Sequence, residues 1–292
     1  MEKERLLGSN ESDSDDEENY SGLIKYNTIP KKEVYQIPFS VLAKFIKHGN
    51  IPKLNEAMKE RDIQLSDSTG WTVLHLATAS NDVEVTSLLL RHKRCSALLN
   101  RQDQTGVTPM MAAVQANCMN TLELICSQGA DSTKTLVKTG ETALHLAATR
   151  SDTQAAQIVL QYNTSSKMIN FLNYRGDTAL TDAARADSPV FYVLVDAGAD
   201  ITIKNPENGR TVLHIAIAYN RKQILKRILQ HRDANFDFAE VEDVSGDTAL
   251  MIAVKLQYLE AIVILTGAID NLTGINTVDQ ESALHVAISL NR

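Results

Sequence analysis

Four histidines of this chain share one local sequence context, and they are its best candidates for metal ligands. Each ends a tetrapeptide that begins with threonine or serine and has leucine before the histidine; the four are His75, His145, His214 and His285. Imidazole nitrogens are common zinc ligands, and a zinc site needs its ligands to converge on one point. Whether these side chains can converge depends on the elements that carry them.

The tetrapeptide belongs to a segment that recurs along the chain. Counting the copies with methionine or threonine in place of the histidine, it begins at Thr72, Thr108, Thr142, Thr178, Thr211, Thr248 and Ser282. The distances between successive copies are 36, 34, 36, 33, 37 and 34 residues. A glycine stands two residues before six of the copies, and Gln280 takes its place before the last. A period of this length predicts an array of repeated helical units.

The repeated segment resembles the ankyrin repeat, whose signature has a threonine, a leucine, a histidine and an alanine in this order. The resemblance implies an all-α solenoid in which each unit is a helix-turn-helix with a hairpin finger. We expect about seven repeats after a degenerate first one from Phe39 to Gln64, within an ankyrin-repeat domain over residues 37–292. The four histidines then lie in alternate repeats, about 20 Å apart, which predicts no metal site. In ankyrin repeats this histidine bonds to the neighbouring turn.

Each position of the repeat has a local structural role. The motif threonine can cap the first helix, and the preceding glycine permits a tight turn. The motif leucine should be buried between repeats, as at Leu144 and Leu284. The residue at the predicted end of each first helix is polar, most often asparagine, which adopts the left-handed conformation more easily than most residues. We therefore predict left-handed C-caps at Asn81, Asn117, Ser151, Asp187, Asn220, Gln257 and Asn291. The pattern predicts second helices over residues 83–92, 120–127, 153–162, 189–196, 222–230 and 258–265.

The chain has no motif that predicts an enzyme active site. A phosphate-binding loop, a dinucleotide fingerprint, a G-x-S-x-G elbow and an H-E-x-x-H helix are all absent from the sequence. The cysteines, Cys95, Cys118 and Cys126, are odd in number and form no C-x-x-C pair, so neither a disulfide framework nor a zinc site is indicated. We expect buried thiols in a reducing compartment, no enzymatic activity and no cofactor.

Charge and hydropathy restrict the partners further. The formal net charge is -7, whereas a basic face is expected of a protein that binds nucleic acid. The sequence has no run of about eighteen apolar residues, and residues 1–10 contain no apolar signal-peptide stretch. We therefore expect a cytoplasmic or nuclear protein, or one found in both, that binds neither nucleic acid nor membrane.

Residues 1–36 are polar and acidic and lack helical periodicity, which predicts a disordered N-terminal tail. Residues 10–18 read NESDSDDEE. Ser12 and Ser14 each have an acid three residues later, which resembles acidophilic kinase sites of the casein-kinase type. Two interpretations are open: phosphorylation at these serines, or a charged tail that only aids solubility.

Ankyrin arrays present finger tips and first helices to their partners, so the variable residues at those places are the candidates for binding. We predict contacts by Trp71, Gln104, Glu141, Tyr174, Arg175, Arg210 and Tyr219. Trp71 is the only tryptophan and the leading candidate, because tryptophan side chains often anchor interfaces. The alternative is that Trp71 packs against the adjacent finger. As contact residues, Trp71 and Arg175 are expected to point away from the core.

A narrower resemblance is to the IκB proteins, which bind Rel/NF-κB dimers. The segment from Pro206 to Ala216, PENGRTVLHIA, resembles the N-G-R-T-A-L-H-L-A repeat of that group. The segment from Gly246 to Leu250 is similar to a late repeat of nuclear IκB members. The resemblance implies a protein that binds a Rel/NF-κB-type factor and inhibits or modulates transcription, although the two-serine degron of the group is absent. The alternative is a scaffold or substrate adaptor with an unrelated partner; in either case we expect a monomer.

Overall fold

The computed structural model describes residues 36–60, 63–162, 165–230, 241–268 and 275–290. Regular secondary structure in these ranges consists of α-helices, and β-pairing is limited to isolated bridges. No helix in the same ranges is long and apolar enough to span a membrane. The predicted tail, with Ser12 and Ser14, lies outside the described residues except for Gln36.

Apart from two short helices, the helices of the described residues form seven consecutive pairs followed by a single helix, and we number these units repeats 1 to 8. The first helices are Phe39–Lys47, Val73–Ala79, Pro109–Ala116, Ala143–Thr149, Ala179–Ala186, Val212–Ala218, Ala249–Lys255 and Ala283–Leu290. The second helices are Ile51–Lys59, Val83–Arg91, Met119–Ser127, Thr153–Tyr162, Val190–Asp196, Lys222–Gln230 and Leu259–Ala268. Each first helix packs against the first helix of the next repeat, which confirms the predicted stack of helix pairs.

Local capping explains where the first helices begin and end. The Thr72 hydroxyl accepts the backbone N–H of His75, and the Thr108 and Thr178 hydroxyls cap their helices in the same way. The predicted left-handed conformation is confirmed, with φ between 53° and 60°, at Asn81, Asn117, Ser151, Asp187, Asn220 and Gln257. Gln280, which stands in the glycine position before repeat 8, is also left-handed, with φ 57°. Asn291 lies outside the described residues.

Repeat 1 is the predicted degenerate unit. Leu42, Ile46 and Leu54 of its two helices are almost completely buried. The Asn50 side chain caps the second helix by accepting the N–H of Lys53. Among the described residues, repeat 1 packs against repeat 2 alone, and a repeat with one neighbour can depart from the motif.

Two short helices, Lys93–Ser96 and Ser166–Ile169, are not predicted by the sequence pattern. Each belongs to a repeat whose motif begins 36 residues before the next motif. The residues of this longer connection form an extra helical turn ahead of the next finger. Both turns bury an apolar side chain, Cys95 in one and Met168 in the other. The 36-residue spacing between motifs indicates that residues have been added in these repeats. It does not indicate that they form a helix, because four residues are too few to show helical periodicity.

The core runs along the array between the helices. Motif side chains supply much of it, because Leu74, Met110, Leu144, Leu180, Leu213 and Leu250 are at most 9% exposed. Leu144 is 1% exposed, as predicted. The prediction is wrong for Leu284 of repeat 8, which is 69% exposed. The described residues contain no second helix for repeat 8 and no ninth repeat, so nothing in them covers the far side of this helix.

Candidate partner-binding face

Backbone hydrogen bonds join the fingers of neighbouring repeats edge to edge. The donor–acceptor pairs, at N···O distances of 2.9 to 3.0 Å, include Gln104–Thr69, Val137–Thr105, Tyr174–Thr139 and Val244–Asn208. Within a finger, the Asp67 carboxylate accepts the N–H groups of Thr69 and Trp71, and Asp103 repeats this arrangement one finger later. The tips are therefore fixed relative to one another. We call the surface formed by the finger tips and the exposed ends of the first helices the finger face.

The motif histidines connect repeats. The Nδ1 atom of His75 accepts the N–H of Thr72 at 3.1 Å, which leaves Nε2 to donate to the Val107 carbonyl at 3.0 Å. His145 and His214 make the corresponding bonds to carbonyls of the next finger. The predicted bond to the neighbouring turn is confirmed at these three positions. In the described part of the chain, no cluster of side chains could hold a metal ion.

Burial disfavours the charged forms of these histidines and of the cysteines. It lowers the pKa of His75, His145 and His214, because desolvation disfavours the charged imidazolium. The three cysteines are free and buried, as predicted. Burial raises the pKa of Cys95 and Cys126 to about 12. A thiol with such a pKa is a poor nucleophile, so these groups serve packing.

Trp71 is partly buried and packs against the core, which contradicts the expectation that it points away from it. Its ring lies on the buried ring of His75, with 4.8 Å between the two centroids. Asp67 Oδ1 accepts the Trp71 backbone N–H at 2.9 Å. These contacts favour the packing interpretation, because an indole held against the scaffold has less surface left for a partner.

Gln104 and Arg210 are held by neighbouring fingers. Gln104 is exposed, and its Nε2 atom donates to the Ser68 carbonyl at 2.9 Å. Arg210 Nε donates to Asp243 Oδ2 at 3.0 Å. The Asp243 side chain is 1% exposed, whereas that of Arg210 is 38% exposed. Arg210 thus neutralises a buried acid and still presents part of its guanidinium at the finger face.

A buried ionic network lies under the finger face in repeat 5. The Asp182 side chain is 2% exposed, and its Oδ1 atom is 2.9 Å from Arg175 Nη2 and 2.6 Å from Arg185 Nη1. Asp177 Oδ2 is 2.7 Å from Arg185 Nη2 and 3.7 Å from Arg175 Nε. Glu141 Oε1, from the finger of repeat 4, is 3.6 Å from Arg175 Nη2. The network therefore ties two fingers to a first helix.

This network corrects the expectation that Arg175 points away from the scaffold. Although 58% of its side chain is exposed, its guanidinium group approaches three carboxylates within 4 Å. Burial raises the pKa of Asp182, and the charges of Arg175 and Arg185 act in the opposite direction. Removing either arginine would leave the buried negative charge of Asp182 with one cationic partner fewer. Arg175 therefore stabilises the fold and is also part of the finger face.

A signal for the network is present in the sequence. Asp182 directly follows the tetrapeptide of repeat 5, and the six other repeats that carry the motif have apolar residues there: Leu76, Ala112, Leu146, Ile215, Ile252 and Val286. An acid at an otherwise apolar, buried repeat position needs a cationic partner. Arg185 stands three residues later, where helical residues are neighbours on one face.

Tyr174 and Tyr219 are the most exposed aromatic side chains near this network. Tyr174 is 63% exposed and Tyr219 is 47% exposed. The ring of Tyr174 lies over Gly140, where an added Cβ atom would be 2.5 Å from Cδ1 of the tyrosine. The centroid of the Tyr219 ring is 6.0 Å from the guanidinium carbon of Arg185, within cation–π range. The finger face thus presents two aromatic rings that are supported from below.

A family model described as "Ankyrin repeats" matches this chain in three copies, over residues 42–135, 131–205 and 187–273. The chain belongs to the ankyrin-repeat family. The matched residues include the degenerate repeat 1 from Leu42 onward and extend through the helices of repeat 7. The fold predicted from the recurring motif is therefore confirmed.

Relatives of this ankyrin protein include members of the NF-κB and IκB group. The p105 subunit of nuclear factor NF-κB from Gallus gallus is 31% identical over 191 residues, which are 65% of this chain and 18% of that protein. NF-κB inhibitor zeta from Bos taurus is 24% identical over 223 residues, which are 66% of this chain and 31% of that protein. The chain therefore spans less than a third of either relative.

A solved structure with the same fold is the ankyrin-repeat domain of Bcl-3, described as a unique member of the IκB protein family. The superposition includes 78% of this chain and 100% of the Bcl-3 chain, with a TM-score of 0.66 and 21% sequence identity. At this identity the similarity establishes the fold. Together these findings identify an ankyrin-repeat interaction module related to IκB and NF-κB proteins.

Proposed function

We propose that this ankyrin protein is an IκB-like regulator that binds a Rel/NF-κB-type transcription factor through its finger face. The observation that carries the proposal is the 31% identity with the NF-κB p105 subunit over 191 residues. The relationship to a protein named as an NF-κB inhibitor supports the regulatory role. Such a regulator would act in the cytoplasm, the nucleus or both, as a monomer that binds its partner directly and catalyses no reaction.

The chemistry of the finger face supports binding to a protein. Tyr174 and Tyr219 offer aromatic surface, and Arg185 and Arg210 have partly exposed side chains. Tyrosine and arginine are enriched among the residues that dominate protein–protein interfaces. Ion pairs hold the Arg185 and Arg210 side chains, and the Tyr219 ring lies beside Arg185, so less side-chain freedom is lost on binding.

The test is a calorimetric titration of the full-length chain with a purified NF-κB dimer. The double variant Tyr174→Ala, Tyr219→Ala should bind at least about ten-fold more weakly, because truncating a tyrosine at the centre of an interface commonly costs more than 1 kcal/mol. Gln157→Ala with Lys226→Ala is the matched control, since both side chains are exposed on second helices. Circular dichroism verifies that each variant is folded.

The titration separates the proposal from its alternative. A folded wild-type chain that binds no NF-κB dimer contradicts the proposed function and favours a scaffold or adaptor role with an unrelated partner. Binding that the tyrosine variant retains at full strength places the contact elsewhere on the array. If the control variant Gln157→Ala, Lys226→Ala loses as much affinity as the tyrosine variant, the contact is likewise not specific to the finger face.

A further inference from the structure

Four exposed basic side chains lie together where repeats 1 and 2 meet. Lys59 ends the second helix of repeat 1, and Arg91, Lys93 and Arg94 lie where the second helix of repeat 2 meets its added turn. Arg94 Nη1 donates to the backbone carbonyl of Glu60 at 3.1 Å, which brings these two parts together. We call Lys59, Arg91, Lys93 and Arg94 the basic patch; it belongs to the second-helix side of the array.

The fold does not account for these charges. Among the described residues, no carboxylate lies within ion-pair distance of the basic patch, whereas Arg227 on another second helix pairs with Asp196. The basic patch therefore carries four positive charges that no described carboxylate neutralises in an ion pair, and a surface of one charge sign attracts ligands of the opposite sign.

The chain enters repeat 1 next to the basic patch. Ile37 forms a parallel bridge with Ile63, and Ile63 stands three residues after Glu60, whose carbonyl is bonded to the patch. In a parallel pairing both segments run in the same direction. The described chain therefore begins beside Ile63, three residues after Glu60 along the sequence.

The sequence that precedes this entry point contains a dense run of acids. Residues 11–18 hold six carboxylates: Glu11, Asp13, Asp15, Asp16, Glu17 and Glu18. Residues 19–35 separate this run from Gln36. At about 3.3 to 3.6 Å per residue, a linker of this length reaches up to about 60 Å, and a flexible chain has a root-mean-square span of about 20 to 25 Å. A tether of that size gives an effective concentration on the order of millimolar.

We propose that residues 11–18, the acidic segment, bind the basic patch of the same chain and cover it. The attraction is between six carboxylates and four cations that have no other acidic partner in the described residues. Phosphorylation of Ser12 or Ser14 would add about two negative charges at each site and tighten the contact. The bound segment would exclude other polyanions from the basic patch while the finger face stays available to a partner.

The proposal is tested on the full-length chain by cross-linking with a water-soluble carbodiimide, which joins carboxylates to lysine amines that they touch. Mass spectrometry should find residues 11–18 joined mainly to Lys59 and Lys93 within one molecule. The double variant Arg91→Glu, Arg94→Glu keeps both lysines but should lower this yield about ten-fold, because reversing two of the four charges leaves the basic patch with no net charge and removes the attraction. In about 1 M salt, where charges are screened over about 3 Å, the yield should also collapse.

The matched control is Lys167→Glu with Lys226→Glu, which changes the net charge by the same amount at exposed positions away from the basic patch. The control variant should keep the wild-type yield, and circular dichroism should show all three proteins folded. Cross-links spread evenly over the lysines of all repeats would overturn the proposal. A yield that is unchanged in the Arg91→Glu, Arg94→Glu variant, or links found mainly between two copies, would also overturn it.

Discussion

Asp182 and Arg185 form an ion pair one helical turn apart, with 2.6 Å between Oδ1 and Nη1, although the Asp182 side chain is only 2% exposed. The six other repeats that carry the motif have an apolar residue at the position of Asp182. Burying a carboxylate carries a desolvation penalty that its partners must offset. The first helix of repeat 5 therefore depends on its arginines, much as the buried finger residue Asp243 depends on Arg210.

The first prediction concerns this pair. Arg185→Ala should lower the free energy of unfolding by about 1 to 3 kcal/mol, less than for an isolated buried pair because Arg175 still contacts Asp182. Asp182→Leu removes the buried charge itself but also the acceptor of the buried Asn173 amide, 3.0 Å from Asp182 Oδ2, so it should cost less, about 1 kcal/mol. Urea unfolding at neutral pH measures both. If Arg185→Ala costs less than the Leu substitution, the acid does not depend on its arginine.

The second prediction concerns pH. The folded-state pKa of His75, His145 and His214 is lowered from 6.5, so the unfolded chain takes up these protons first as the pH falls. Their contribution to stability is therefore complete above the unfolded pKa and is lost as the pH falls below it. The loss should approach about 1.4 kcal/mol per pH unit for each histidine. Urea unfolding between pH 7.5 and 5.5 measures it, and a constant midpoint over this range would contradict the assignment.

Much of the fold follows from single repeat positions. Thr72 predicts a helix start and Asn117 a left-handed helix end, because each acts on the backbone within a few residues. The ion network depends instead on where Arg175, in a finger, and Asp182, in a helix, meet in space. The seven-residue separation of Arg175 and Asp182 in the sequence does not show that their side chains are in contact. The packing of Trp71 on His75 likewise depends on the tilt of a finger, so the sequence leaves both interpretations of this residue open.

The third prediction compares two leucines at the same motif position. Leu144 is 1% exposed and Leu284 is 69% exposed. Leu144→Ala should cost about 2 to 5 kcal/mol, because it removes buried methyl groups and leaves a cavity. Leu284→Ala should cost less than about 0.5 kcal/mol, as is usual at a surface position. Urea unfolding followed by circular dichroism tests both, and an equal cost would mean that Leu284 is covered in solution.

The fourth prediction concerns Trp71, whose ring packs on His75 with 4.8 Å between centroids. Trp71→Ala should lower the free energy of unfolding by about 1 to 3 kcal/mol, less than the loss typical of a fully buried aromatic residue, because part of the ring is exposed. Trp71→Phe keeps a ring over His75 and should recover most of that loss. Urea unfolding of the two variants, followed by circular dichroism, gives the comparison. A fully stable Trp71→Ala protein that no longer binds an NF-κB dimer would reverse the conclusion and make Trp71 an anchor for the partner.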